Sequence, residues 1–348
     1  MLNDAIKRSA AGLGAAKGHD HIQPGGAALR DGATESLRLI LIIIILILAS
    51  SFVLCLTAQA QTSNQAQTRR ELLQKLESGQ LQDAVLLGQQ AVSRWPRDAE
   101  FRHYLGVAYF SSGDIKQARE QLTRARDLDP KDSATHYDLA LVLLNQQNYA
   151  EAAGELEAVT SLDPAKPLAH VLLGRAYLNS NRSLEAVVEF KAALKLDPAI
   201  KLGHYHLGFA YFSRGQNEEA ITEYKEELQR SGENPVVLYA LGHSLLASGK
   251  YDEAQTYLRR GAELDPPNWE IWYDLGKTQA LAEKWSQAEP SLRKAVELNP
   301  REPSPHYQLA RVLDKLGRKE EAQSERALFA ELKKAQPASA GMATGRDQ

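Results

Sequence analysis

The sequence predicts an all-α protein: a linear array of helical hairpins preceded by one hydrophobic helix near the N-terminus. Three observations predict it. A unit of 34 residues recurs in constant register from residue 65 to residue 336. Within each unit apolar residues fall at helical spacing. Glycines and prolines stand where helices must stop.

Taken in order, residues 1–38 mix Gly, Ala and scattered charges around Gln23-Pro24-Gly25-Gly26. Such a composition buries too little apolar surface to fold, so a disordered leader is expected. Gly12-Leu13-Gly14-Ala15-Ala16-Lys17-Gly18 lies inside it, but it follows no strand and lacks the Gly-Lys-Ser/Thr ending of a phosphate loop.

Leu39 to Leu56 then runs 18 residues without a charge, dominated by Ile and Leu. That length suits a helix crossing the hydrocarbon core. Ala58-Gln59-Ala60 follows at once, with the small-x-small pattern of a signal peptidase site. Two readings of 39–60 therefore stand, the core of a cleaved signal peptide or a single-pass membrane anchor. Arg30 and Arg38 precede the run, and Arg69, Arg70 and Lys75 follow it, so the distribution of positive charge leaves orientation open. The Ala-x-Ala site favours export of the C-terminal part. The expected location is extracytoplasmic, anchored by 39–56 or released to the periplasm or exterior after cleavage near Ala60. Residues 61–64 read as a linker, within a stretch to Gln67 rich in Gln, Ser and Thr.

The repeats fill the rest. One column is alanine throughout: Ala84, Ala118, Ala152, Ala186, Ala220, Ala254, Ala288 and Ala322. A second holds Gly106, Ala140, Gly174, Gly208, Gly242, Gly276 and Ala310, each preceded by leucine. A third closes the units with Pro96, Pro130, Pro164, Pro198, Pro266 and Pro300, Gly232 standing in for one proline. Gly79, Gly113, Gly215, Gly249 and Gly317 mark the end of a first helix, where a left-handed residue is needed. Small residues at the shared columns imply close approach of the two helices of a hairpin, where a larger side chain would overpack. No hairpin buries its apolar face alone, so stability must come from stacking.

These columns make the chain similar to the tetratricopeptide repeat family, whose period and Leu-Gly…Tyr…Ala…Pro skeleton appear as Leu105-Gly106, Tyr109, Ala118, Leu122, Ala125 and Pro130. The resemblance covers 65–336, in eight units starting at 65, 99, 133, 167, 201, 235, 269 and 303. It implies a right-handed superhelical solenoid. The first unit, with Glu71 and Lys75 at otherwise apolar positions, reads as an N-terminal cap. The last places Arg326 where Leu122 and its equivalents sit, and reads as a C-terminal cap. Pro290 is expected to bend its helix locally, and 337–348 to be a disordered tail.

Little in the sequence suggests chemistry. A composition of 43% hydrophobic and 24% charged residues is ordinary, and a net charge of −3 offers no broad basic footprint, so no nucleic-acid partner is expected. Cys55 is the only cysteine, which excludes an intrachain disulfide and a cysteine-based metal site. It follows the bulky Leu54, unlike a lipid-attachment cysteine. His136, His170, His204 and His306 share one repeat position with Trp272, and read as planar packing residues rather than a metal ladder. His-Glu-x-x-His and Gly-x-Ser-x-Gly motifs do not occur. No catalytic residue, cofactor or metal is expected, and the chain is read as non-enzymatic.

In the family it resembles, the first helices of the units line a concave groove where partners dock. The resemblance turns three positions inward. The first holds His103, Tyr137, Val171, Tyr205, Tyr239, Tyr273 and Tyr307, and four residues on stand Val107, Leu141, Arg175, Phe209, His243, Lys277 and Arg311. Phe110, Leu144, Leu178, Phe212, Leu246, Ala280 and Asp314 form the third. The implied partner-binding residues are Tyr137, Arg175, Tyr205, Phe209, Tyr239, His243, Tyr273, Lys277, Tyr307 and Arg311. Their tyrosines would supply rigid contact area, and their cations would grip carboxylates of a protein or peptide. The Lys-x-x-x-Asn and Lys-x-x-x-Arg clamp of chaperone-binding members is replaced by pairs such as Tyr137/Leu141 and Tyr273/Lys277, so a co-chaperone role is not expected. The expected function is an interaction scaffold in envelope or secretory assembly. The alternatives are an adaptor self-associating through its end repeats or convex face, and an accessory subunit of an enzyme whose catalytic site lies on another chain.

Overall fold

The computed structural model describes residues 28–335; the side chains of 28–40, 42–44, 53–58, 60 and 61 are outside the described set. The expected glycine-rich leader up to residue 27 and the expected tail therefore lie outside the described residues. The chain divides into two compact units, Met1–Glu71 and Leu72–Gln348.

The described backbone of the first unit belongs to a single helix, α1 (Ala28–Glu77). Residues 28–38, expected in the disordered leader, and 61–64, expected as a linker, are helical. The reason is local: from Ala33 to Glu77 the sequence holds no Gly or Pro to break the helix. The Thr62 and Thr68 hydroxyls also donate back to the carbonyls of Gln59 and Asn64, both at 2.9 Å. Among the described residues no helix is long and apolar enough to cross a membrane. The span expected at 39–56 is not supported there. Leu41, Ile45, Leu46, Ile47, Leu48 and Phe52 are exposed on α1.

The second unit holds the end of α1, then α2 (Leu81–Arg94), α3 (Ala99–Ser112), α4 (Ile115–Leu128), α5 (Ser133–Asn145), α6 (Tyr149–Leu162), α7 (Pro167–Asn179) and α8 (Ser183–Leu196). It continues through α9 (Gly203–Ser213), α10 (Asn217–Ser231), α11 (Pro235–Ala247), α12 (Tyr251–Leu264), α13 (Trp269–Leu281), α14 (Trp285–Leu298), α15 (Pro303–Lys315) and α16 (Lys319–Ala335). Each helix from α2 onward packs on the next, which makes a stack of hairpins. No strand occurs among the described residues.

Local chemistry sets the boundaries. Asp98, Asp132, Asn234, Asn268 and Glu302 cap first helices, their side chains accepting from backbone N–H groups of the opening turn. Second helices end two residues before the Pro column, at Leu128, Leu162, Leu196, Leu264 and Leu298. The turn inside each hairpin is left-handed in every unit. Glycine takes that conformation at five turns, and Gln147, Asn181 and Glu283 adopt it at φ of 60, 59 and 58° in the other three. Pro290 lies inside α14 without ending it, since the helix continues to Leu298.

The alanine column is fully buried in all eight units. At the glycine column, a Cβ on Gly106 would fall 2.5 Å from Leu122 Cγ, and one on Gly208 would fall 2.8 Å from the Tyr224 ring. At these glycines hydrogen is the substituent that lets the large residue of the second helix lie flat on the first; the third and eighth units have Ala140 and Ala310 at the same position. Arg326, at the outer end of the stack, turns to solvent and pairs with Asp314.

Candidate partner-binding groove

The first helices of successive hairpins approach one another: α3 meets α5, α7 meets α9, and the series continues through α11, α13 and α15. In a curved stack the helices that touch across a repeat are the inner ones, so the odd-numbered helices form the inner wall. The predicted groove positions lie on these helices.

The structure brings five of the ten predicted residues together between the fourth and sixth units. Arg175, Tyr205 and Phe209 border a cleft of about 590 Å³ with Asn179, Asn181 and Ser183. No acidic residue lines it, and the exposed Arg175 makes no ion pair among the described residues. His206, also in the cleft, stacks on Phe190 at 5.5 Å and 14°. Burial, and secondarily the Arg175 charge, pushes its imidazole down to about 4. Burial also raises the Tyr205 phenol.

Across the wall made by Tyr205 and Phe209, a smaller pocket of about 130 Å³ is lined by Tyr239 and His243. The His243 Nδ1 lies 2.6 Å from Asp274 Oδ2, and Asp274 is 3% exposed.

Elsewhere the predicted residues are paired within their own helices. Lys277 Nζ sits 5.8 Å from the Tyr273 ring centre, and the Arg311 guanidinium lies 5.9 Å from that of Tyr307. Both are cation–π contacts one helical turn apart. Tyr137 instead faces Lys166, whose Nζ is 4.0 Å from its ring centre. Neither cleft includes these five residues.

Family profiles described as "Tetratricopeptide repeat" match residues 137–199, 171–235 and 239–303, and a second such profile matches 291–324. A profile described as "Anaphase-promoting complex, cyclosome, subunit 3" matches 77–159. The chain belongs to the tetratricopeptide repeat family. No curated protein matches it.

Among solved structures, the tetratricopeptide array is similar to "Crystal structure of APC/C hetero-tetramer Cut9-Hcn1". Identity is 19% and the TM-score 0.51, over 70% of this chain and 48% of that one. The protein thus spans about half the length of that relative, and the likeness is one of fold. Two MamA structures, "MamA AMB-1 C2221" and "MamA MSR-1 C2", match at 28% and 27% identity. Each has a TM-score of 0.45 over 48% of this chain, covering 98% and 97% of the respective MamA chain.

The tetratricopeptide array also explains the shared histidines. His136, His170, His204 and His306 bond through Nδ1 to Glu155, Glu189, Glu223 and Glu325 at 2.6–2.7 Å, each glutamate 19 residues on. Three of them reach back with Nε2 to the carbonyl of Pro130, Pro164 or Pro300, and Trp272 Nε1 donates likewise to Pro266 at 2.9 Å. Arg102 does the same to Pro96 at 2.8 Å. At Arg102, His136, His170, Trp272 and His306 the shared position thus holds a planar donor that bonds back to the carbonyl closing the preceding unit, whereas the sixth unit has Leu238 there. Spacing in the sequence groups the histidines but not their glutamates, whose signal is the constant offset of 19. Among the described residues no group of three or more His, Cys, Asp or Glu side chains is placed to hold a metal ion.

Proposed function

We propose that the array is a non-catalytic scaffold that holds an extended, acidic protein segment along its inner wall. The carrying observation is the cleft at Arg175: an exposed cation without an ion-pair partner among the described residues, bordered by amides, hydroxyls and the Tyr205 and Phe209 rings, with no acidic side chain lining it. A carboxylate there would gain a charge-assisted bond while its neighbouring side chain packed on the rings. Lys277 and Arg311, backed by their tyrosines, extend the same preference towards the C-terminal units.

The same proposal places the array outside the cytoplasm in envelope or secretory assembly, tethered through 39–56 where the chain is not cleaved near Ala60. Support comes from the exposed apolar side chains of α1 and from Ser50 and Ser51. Their hydroxyls return to the carbonyls of Ile47 and Leu48, so they need no water partner.

Pull-down from membrane fractions tests the groove, comparing the native chain with the Arg175→Glu, Lys277→Glu, Arg311→Glu triple variant. Native protein should retain acidic partners that the variant loses at unchanged helicity. Capture of the same partners by both would refute the groove reading. Resistance of the native chain to carbonate extraction, with an uncleaved N-terminus, tests the tether.

A further inference from the structure

Five aromatic rings (Tyr205, Phe209, Phe212, Tyr224 and Tyr239), together with His243, line the smaller pocket of about 130 Å³. Four belong to the inner-wall positions of the fifth and sixth units; Tyr224 comes from α10. Tyr205 lies 5.9 Å from Tyr224 and 6.5 Å from Phe209 between ring centres, and His243 lies 5.2 Å from Phe212 and 5.8 Å from Tyr239. Aromatic faces carry the negative part of the ring quadrupole, so a concave set of them attracts a cation shed of its water.

Two further features share that sign. The Asp274 carboxylate is buried behind His243, 2.6 Å from its Nδ1, and no Lys or Arg lines the pocket. Burial, and then the negative charges of Asp274 and Glu270, raises the Tyr239 phenol. The other feature is Ser244: its residue is 1% exposed, it lines the pocket, and its Oγ has no hydrogen-bond partner. A buried hydroxyl without a partner is costly, and a bound N–H donor would remove that cost. The volume suits a side-chain end, being that of about four waters.

We propose that this pocket is a subsite for the alkylammonium group of a lysine side chain on the bound partner. It lies beside the Arg175 cleft, separated from it by the Tyr205–Phe209 wall. The two sites together would select a segment carrying a basic residue near an acidic one. This inference rests on the groove reading for its partner, but the pocket chemistry is measurable without one.

The test uses full-length protein carrying 3-fluorotyrosine at pH 8, where histidine ordinarily carries no charge. n-Butylammonium is titrated against its neutral isostere butan-1-ol, and fluorine NMR follows Tyr205, Tyr224 and Tyr239. The ammonium should bind at least tenfold more tightly than the alcohol. Asp274→Asn should remove that preference, and Tyr239→Leu should weaken the ammonium at least fivefold. Tyr239→Phe, which keeps the ring, should leave it within twofold. Phe209→Ala, at a partly exposed site, serves as a second ring deletion if Asp274→Asn fails to fold, and it should also weaken the ammonium at least fivefold. Equal binding of the two probes, absence of butylammonium shifts, or unchanged butylammonium affinity in the ring deletions would overturn the proposal. Butylammonium binding should survive Arg175→Glu. A protein that captures acidic partners yet ignores butylammonium refutes this inference alone, and one that binds butylammonium but captures no acidic partner refutes only the groove reading.

Discussion

His136 joins three segments at once: its Nδ1 meets Glu155 of α6 at 2.6 Å, and its Nε2 meets the Pro130 carbonyl of the preceding unit at 3.1 Å. Both partners are acceptors, so the two bonds form together when each ring nitrogen carries a proton. Glu155 also accepts from Arg126 Nη1 at 2.6 Å, which extends the tie to α4. In a stack where each hairpin touches only its neighbours, such ties add to the interface between units, the quantity that sets cooperativity.

His136→Ala should therefore destabilise the array by about 1–3 kcal/mol, the range for leaving buried acceptors without a donor. His170→Ala, whose histidine is less buried, should cost less. Urea unfolding followed by circular dichroism measures both. A loss below about 0.5 kcal/mol for His136→Ala would show that the tie contributes little beyond surface ion pairs.

The glycine column supplies a second prediction. An added Cβ at Gly242 would lie 2.5 Å from Leu258 Cγ, a contact that has to be relieved by moving a fully buried side chain. Gly242→Ala should cost about 1–3 kcal/mol despite alanine's higher helix propensity. Gly154→Ala, on the exposed face of α6 with nothing within 4 Å, should instead stabilise by about 0.5–1 kcal/mol. Thermal melts of the pair separate packing from propensity, since propensity alone predicts the same sign for both.

These two glycines also show what the sequence made legible. Gly242 recurs at a fixed interval from its leucine and alanine neighbours, so both the repeat and the close approach of its helices could be read from spacing. The pocket between Tyr205 and Tyr239 could not. It depends on which rings from adjacent units lean together and on Tyr224, a second-helix residue whose column is leucine or phenylalanine in the other inner units, with Gly88 and Arg326 at the two ends. The extent of α1 was missed for another reason. Polar composition suggested a linker at 61–64, but Gln, Thr, Ser and Asn also propagate a helix already nucleated on both sides.

Three hairpin turns hold a residue that is not glycine in the left-handed region, among them Glu283 at φ 58°. A side chain there costs roughly 1 kcal/mol relative to glycine. Glu283→Gly should raise stability by about 0.5–1 kcal/mol, part of the gain being offset by the freer unfolded chain. Gly113→Ala, at φ 88° with open space around its Cβ, should lose a similar amount through strain alone. If both substitutions leave the melting temperature unchanged, the turn imposes no conformational selection.

Stability should depend on pH through His206. Its folded imidazole titrates at about 4, held down by burial and then by Arg175, whereas an unfolded histidine titrates near its ordinary value of about 6.5. The folded state thus binds fewer protons than the unfolded state between those values. Its contribution is present in full above about pH 6.5 and is lost as pH falls towards 4. Linkage gives a loss of about 2 kcal/mol between pH 7 and pH 5, a window in which most carboxylates stay ionised. His206→Gln should remove that dependence, so its stability relative to the native chain should improve by about 2 kcal/mol over the same interval. Parallel urea denaturation curves for both proteins at pH 7 and pH 5 would show no tapered window for His206 if the ring were solvated, and would place the acid sensitivity elsewhere in the array.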